Sequence, residues 1–266
     1  MAPRPSIAAP TPIGAFLDYG VRKTLHKWLV RGFAALPLPR PQDVVTSRYG
    51  VKMRANWRDR TFQYCRYATY GHVLSDYLAA QNRPFVFVDI GANQGLYSLL
   101  AAQNPQCTAA LAFEPVGATF ALLGENIALN GQTGKIRPIH AAVSLHSGMA
   151  RIATDPAHTG VASLRDAVPT ATAGGEDIRI LGIGGVDALL AGTEPLVIKI
   201  DVEGHEETVV DALMASEHRD RIAALFYEID RRWSDAAAIE TRLRAAGFTR
   251  FDRFGFGRHY DVLARR

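Results

Sequence analysis

Cysteine is scarce in this chain: Cys65 and Cys107 stand far apart among 266 residues, with no C-x-x-C pair. That excludes a disulfide-stapled framework and a cysteine-ligated zinc ribbon, and makes a reduced cytoplasmic setting the expectation. No stretch approaches the roughly 20 consecutive apolar residues that a membrane-spanning helix needs. There is no lysine-rich block, and a net charge of +4 is too mild to demand a nucleic-acid partner, although it permits anionic substrates or lipid head groups. Residues 1–12 are rich in Pro and Ala without the apolar core of a secretory leader, so they read as a frayed tail. What is present, 48% hydrophobic and 21% charged, is the balance of an ordinary globular protein, long enough for one α/β domain with extra elements.

The most informative stretch is Phe85-Val86-Phe87-Val88-Asp89-Ile90-Gly91-Ala92-Asn93-Gln94-Gly95. An apolar strand empties through an acid into a glycine turn, and a helix-like segment follows, which is how a chain passes close to a small-molecule cofactor. A dinucleotide fingerprint needs G-x-G-x-x-G to seat a pyrophosphate. Here the middle glycine is missing, and Asp89 puts a negative charge where phosphate would sit. An acid suits S-adenosylmethionine instead, with its sulfonium, amino group and ribose hydroxyls. A second apolar run, residues 109–113, ends in Glu114, where a strand-end acid would grip those hydroxyls. The plainer alternative is that Asp89 and Glu114 only cap the helices after them.

Along the chain, residues 13–33 carry apolar side chains at helical spacing, with Arg22, Lys23, Lys27 and Arg31 on the rest of the wheel. This basic amphipathic helix would pack on its own domain, on a second copy of the chain, or on an anionic membrane. Pro37, Pro39 and Pro41 break the chain before residues 48–64, whose alternation predicts a small hairpin, and a second helix is expected over 71–81. Alternating elements follow: strand 85–90, helix 95–103, strand 109–113, helix 117–129 and strand 136–142. Residues 143–175 loosen into Ser, Thr, Gly, Ala and His, as in short extended pieces or a mobile active-site loop. Then come strand 196–200, helix 204–214, strand 223–229, helix 235–246, and two runs, 248–254 and 259–263, too close for a crossover helix, which must pair antiparallel. The expected fold is therefore α/β: a Rossmann-like, mostly parallel seven-stranded sheet with a terminal antiparallel hairpin. The expected division is an N-terminal, partly helical extension over 1–82 and a cofactor-binding domain over 83–266.

The run Lys199-Ile200-Asp201-Val202-Glu203-Gly204-His205-Glu206 releases Asp201, Glu203 and His205 at a strand's carboxyl end, where open α/β sheets place ligands. Tyr227-Glu228-Ile229-Asp230 closes another strand with two more acids. Asp201, Glu203, His205 and Glu228 are ligand types for a hard cation, but spacing alone does not make them converge, and no bound metal is expected. Lys199 is odd inside an apolar strand and should pair with Asp201 or Glu228.

Four phrases carry a family resemblance: Asp89 to Gly95, Glu114-Pro115, Glu125-Asn126-Ile127-Ala128-Leu129-Asn130-Gly131, and the run from Lys199 to Glu206. Over residues 85–254 the chain resembles the FkbM family of class I S-adenosylmethionine-dependent methyltransferases. The resemblance implies methyl transfer to a hydroxyl oxygen of a sugar, a glycolipid or a polyketide-type natural product. It also implies that Gly91, Asn93 and Gly95 line the methionine part of the cofactor, with Asp89 taking its amino group directly or through water. Glu114 would hold the ribose hydroxyls, Ala141 and Ala142 would border the adenine, and Asp201 would close the pocket from the acceptor side.

An alcohol must lose its proton as the new bond forms, and a base of near-neutral pKa suits that task, which favours His205, with Asp201 second. The plainer readings are that His205 is an exposed residue of a helix's first turn and that Glu203 complements the helix dipole. His140 sits at a strand end beside the expected cofactor. His146, His158 and residues 159–164 lie in the loose region, where they would face an acceptor or solvent. Tyr64, Tyr67, Tyr70 and Tyr77 could line a sugar or lipid site, but a spacing of three fits one helical face and reads as core packing. A nicotinamide oxidoreductase and a non-catalytic binding module on the same fold are the rival functions.

Overall fold

The computed structural model describes residues 42–153, 175–255 and 257–266. The expected amphipathic helix over 13–33, the prolines after it, His158 and the stretch 159–164 lie outside the described residues.

Strands β1 (Val44–Thr46) and β2 (Lys52–Arg54) pair antiparallel as a small ribbon. Helices α1 (Arg60–Tyr67) and α2 (His72–Ala79) follow. The hairpin expected over 48–64 is thus displaced toward the N-terminus, and its second half is helical. The reason is Asp59, whose buried carboxylate accepts from the backbone N–H groups of Thr61 and Phe62 and starts a helix that apolar alternation does not reveal.

The main sheet holds β3 (Phe85–Ile90), β4 (Cys107–Phe113), β5 (Ile136–Ile139), β9 (Leu196–Ile200), β10 (Ile222–Asp230), β11 (Arg250–Phe254) and β12 (His259–Arg265). Its spatial order is β11-β12-β10-β9-β3-β4-β5. All pairings from β5 to β10 are parallel, while β12 runs antiparallel to both β10 and β11. The seven-stranded, mostly parallel sheet with its terminal hairpin is as expected. Every residue of the central strand β3 is buried, as a parallel strand covered on both faces requires. Its alternate side chains enter different cores: Phe85 and Phe87 one, Val86, Val88 and Ile90 the other.

The first core is closed by α3 (Leu96–Gln103), α4 (Gly117–Leu129) and the N-terminal elements. Val45, Met53, Phe62, Cys65, Leu74 and Leu78 pack in it together with Phe87 and Leu99, so residues from 44 onward share the sheet's own core. Tyr70 and Tyr77 pack against it, as expected of core aromatics. The second core lies under α6 (Glu206–Ala215) and α7 (Ala236–Ala245), the latter N-capped by Asp235. Cys65 and Cys107 are free and buried. Among the described residues no helix is long and apolar enough to cross a membrane.

At the edge of the sheet one expectation changes and one of two alternatives is found. The strand expected over 136–142 stops at Ile139, and Ala142 instead opens β6 (Ala142–Ser144) of a separate sheet. There β6 runs parallel to β8 (Gly175–Gly182), which pairs antiparallel with β7 (Gly148–Ala153), and the short helix α5 (Ile183–Asp187) follows. Of the two alternatives for residues 143–175, the short extended pieces are present at both ends of the stretch, as β6, β7 and the start of β8. Their pairing into a separate sheet was not foreseen, because its small and polar residues bury only a few positions, Ile152 and Ile178 foremost.

Candidate active site

The turn after β3 is held from within. The N–H groups of Gly91 and Ala92 both donate to the carbonyl of Phe113, at 3.0 and 2.8 Å. Gly91, Asn93 and Gly95 all take the left-handed conformation, with φ of 77°, 49° and 88°. A Cβ on Gly91 would overlap the backbone carbonyl oxygen of Asp201, and one on Gly95 would meet Leu123 Cδ1 at 2.5 Å. The glycines therefore let this turn lie against the end of β9 and against α4.

Asp89 is fully buried. Its Oδ2 accepts from the backbone N–H (3.1 Å) and hydroxyl (2.8 Å) of Ser98 in the first turn of α3, where an anion complements the helix dipole. Its Oδ1 lies 3.2 Å from Lys199 Nζ. The carboxylate is thus engaged by protein donors, Ser98 on one oxygen and Lys199 on the other.

Lys199 is the cation of this centre. Its side chain is 4% exposed; its ammonium donates to the Gly91 carbonyl and lies 3.7 Å from Asp201 Oδ2. Burial alone would pull its pKa down, but Asp89 and Asp201 outweigh that and hold it above the usual lysine value. The expected partnership with Asp201 is present, and the second partner is Asp89 rather than Glu228.

Glu114, at the end of β4, is 5% exposed. Its two oxygens accept from the backbone N–H groups of Asn93 and Val116, each at 2.9 Å. Burial pushes its pKa up to about 7 in spite of those donors. Ala141 and Ala142 are both buried, the first packed in the second core and the second against Ile152 and Ile178. The exposed surface beside them is His140, whose ring stacks on Phe120 with centroids 4.6 Å apart and whose Nε2 lies 3.0 Å from the carbonyl of Pro115.

On the other side of Lys199, the backbone N–H of Asp201 donates to the Ile90 carbonyl, tying the end of β9 to the end of β3. Carboxylate oxygens of Asp201, Glu203 and Glu228 lie within 4.8 Å of one another and could hold a metal ion. His205 is not part of that group. Burial, then the charges of Asp201 and Glu228, push the Glu203 carboxyl up to about 9. Glu228 is also raised, chiefly by burial, although it pairs with His259.

His205 is the N-cap residue of α6, without a side-chain capping bond. Its Nε2 lies 3.4 Å from the hydroxyl of Ser144 on β6, and burial lowers its pKa, so the neutral ring prevails at pH 7. Glu206 braces the turn: Oε1 accepts from Gly204 N–H at 2.9 Å and Oε2 from the Ser234 hydroxyl at 3.0 Å.

The sequence analysis missed Ser98 and Ser144, which no motif marks. It also missed Asp59 and Gln94, whose side chains meet beneath the turn.

An acid-tipped β-α-β unit with a second carboxylate at the neighbouring strand end, on a sheet closed by an antiparallel hairpin, defines a nucleoside-binding α/β enzyme of the class I methyltransferase type. The Methyltransferase FkbM domain family matches residues 89–250, and the chain belongs to that family. It is an S-adenosylmethionine-dependent methyltransferase. No curated protein matches the chain. Solved structures similar to it include a ribosomal protein L11 methylase from Lactobacillus delbrueckii subsp. bulgaricus, at 18% identity over 73% of this chain and 77% of that one, with a TM-score of 0.41. TrmK of M. capricolum, in complex with its cofactor product S-adenosylhomocysteine, is 13% identical over 73% and 67%, with a TM-score of 0.46. A precorrin-6y C5,15-methyltransferase from Geobacter metallireducens GS-15 is 12% identical over 73% and 87%, with a TM-score of 0.43.

Proposed function

We propose that the enzyme methylates a hydroxyl oxygen on a sugar, glycolipid or polyketide-type acceptor. The observation that carries this reading is His205: a histidine kept neutral by burial at the mouth of the sheet, its ring placed beside Ser144. A neutral imidazole accepts a proton at pH 7, which an alcohol acceptor must give up.

The residues present fit the cofactor. Gly91, Asn93 and Gly95 give a turn whose outer side carries little bulk, and Glu114 offers ribose hydroxyls a carboxylate already fixed by two backbone donors. Ala141 and Ala142 with His140 would border the base. S-adenosylmethionine, when bound, supplies a methyl group already activated on sulfur. The chain's own tasks are to align the acceptor and to take its proton. Lys199 holds the Gly91 carbonyl and the Asp201 carboxylate in fixed relation, and Asp201 would orient the acceptor hydroxyl toward His205.

A small-molecule or glycan alcohol is the proposed partner, with no role for nucleic acid. The basic stretch 13–33 is the proposed contact for a membrane surface or for a second copy in a homodimer. The two free, buried cysteines support a cytoplasmic setting. The decisive experiment is a His205→Ala protein assayed on a panel of hydroxylated acceptors, beside calorimetry with S-adenosylhomocysteine. Loss of methyl transfer with cofactor affinity retained is the expected result; undiminished transfer would remove His205 from the reaction.

A further inference from the structure

Residues 42–82 do more than cover one face of the sheet: they reach the cofactor turn through two buried amides. Asn126 and Asn130 stand one helical turn apart on α4, a rise of about 6 Å. Lys52 and Arg54 stand two residues apart on β2, a rise of about 6.7 Å, and both present their N–H groups to the same side. The spacings match. Asn130 accepts from Lys52 N–H at 2.9 Å and returns a bond to the Lys52 carbonyl at 2.7 Å, while Asn126 Oδ1 accepts from Arg54 N–H at 2.7 Å. The helix thus serves as the partner for the edge of β2 that β1 leaves free, and an Arg54–Glu125 ion pair at 2.6 Å adds to the registration.

Asn126 has a second arm. Its Nδ2 donates to the backbone carbonyl of Gln94 at 2.8 Å, in the middle of the cofactor turn. The Gln94 side chain, 1% exposed, donates in the opposite direction to the Asp59 carboxylate, the same group that starts α1. Gln94 is therefore gripped at its carbonyl and at its amide by groups that also bind β2 and α1. The turn needs such a grip. Three of its five residues are left-handed, and Asn93, whose Oδ1 accepts from the Gln94 N–H at 2.8 Å, holds that state without being glycine.

We propose that the docking of residues 42–82 sets the conformation of the cofactor turn, with Gln94 and Asn126 as positioning residues. Cofactor binding and the docking of β2 and α1 are then coupled, and the coupling is reciprocal. This rests on the turn being where the cofactor binds.

The test begins with S-adenosylhomocysteine affinity at about pH 8. Gln94→Glu sets a second carboxylate against Asp59 and is expected to weaken binding about tenfold or more. Adding Asp59→Asn restores a donor facing an acceptor and keeps a capping side chain, so affinity should return to within about threefold of the unmodified chain. Unchanged affinity in Gln94→Glu, or a paired variant no tighter than the single one, overturns the proposal. Hydrogen exchange on the unmodified chain tests it without any variant. Adding S-adenosylhomocysteine should slow exchange at the Lys52 and Arg54 amides more than at those of β11 and β12. Equal slowing at the two places overturns the coupling. An unmodified chain that takes up no S-adenosylhomocysteine would instead overturn the cofactor site, and this inference with it.

Discussion

With Glu114 in its proposed role as holder of the ribose hydroxyls, lowering the pH should weaken cofactor binding by a calculable amount, because the ionised carboxylate is the far better acceptor. Burial has pushed its pKa up to about 7 although two backbone N–H groups favour the charged form. About nine-tenths of the chains carry the carboxylate at pH 8 and about one-tenth at pH 6, so the dissociation constant should rise about tenfold, or about 1.4 kcal/mol. Calorimetry with S-adenosylhomocysteine in buffers of different ionisation enthalpy measures both affinity and proton release, and near pH 7 about half a proton should leave per ligand bound. Glu114→Gln should bind more weakly and lose the slope. The ligand-free chain carries the same signature with opposite sign. A folded pKa above the ordinary 4.5 means that the native state keeps a proton the unfolded state has lost, so stability declines as pH rises from about 4.5 to about 7. The decline should be about 3 kcal/mol, and Glu114→Gln should remove it. An affinity flat from pH 8 to 6 with no proton release, or a full slope retained in Glu114→Gln, refutes the reasoning.

Lys199→Met leaves Asp89 buried opposite a methyl group and should cost about 3–5 kcal/mol in denaturant unfolding, with part recovered by adding Asp89→Asn; a variant as stable as the unmodified chain would show that the pair contributes nothing. Gly91→Ala drives a Cβ into the Asp201 carbonyl at a positive φ, and a folded protein with undiminished S-adenosylhomocysteine binding would contradict that geometry. Glu203, raised to about 9, keeps its proton in the native state above pH 4.5, so its contribution to stability falls as pH climbs toward 9; in urea titrations at pH 6 and 9, Glu203→Gln should lose less than the unmodified chain.

Strands β3, β4, β9 and β10 were legible because each is a short apolar run that ends in or beside an acid or a glycine, whereas β5, with Arg137 and Pro138 inside it and His140 after it, gave no such end signal. The capped helix α1 was not legible, since Asp59 acts through a carboxylate that also serves Gln94, and alternation in residues 48–64 imitates a strand. Short extended pieces could be expected in residues 143–175, but their pairing into the sheet β6-β8-β7 could not, because only a few of its residues are buried. At the site, Asp89, Glu114 and Asp201 could be found from strand-end position alone. Their hydrogen bonding could not: that Asp89 faces Ser98 and Lys199, and that Asp201, Glu203 and Glu228 gather while His205 turns to Ser144, depends on contacts between distant segments. Asn126 stood in a phrase used only to identify the family. Its link to Arg54, 72 residues earlier, has no local signal.

The amide pair on α4 also bears on where this protein can be recombined with a relative. A junction placed near residue 82, at the apparent start of the nucleoside-binding unit, would separate Lys52, Arg54 and Asp59 from the side chains that hold them. A hybrid joined there inherits a helix with two amides facing a foreign ribbon. Exchanges that carry residues 42–130 as one cassette keep the matched pieces together.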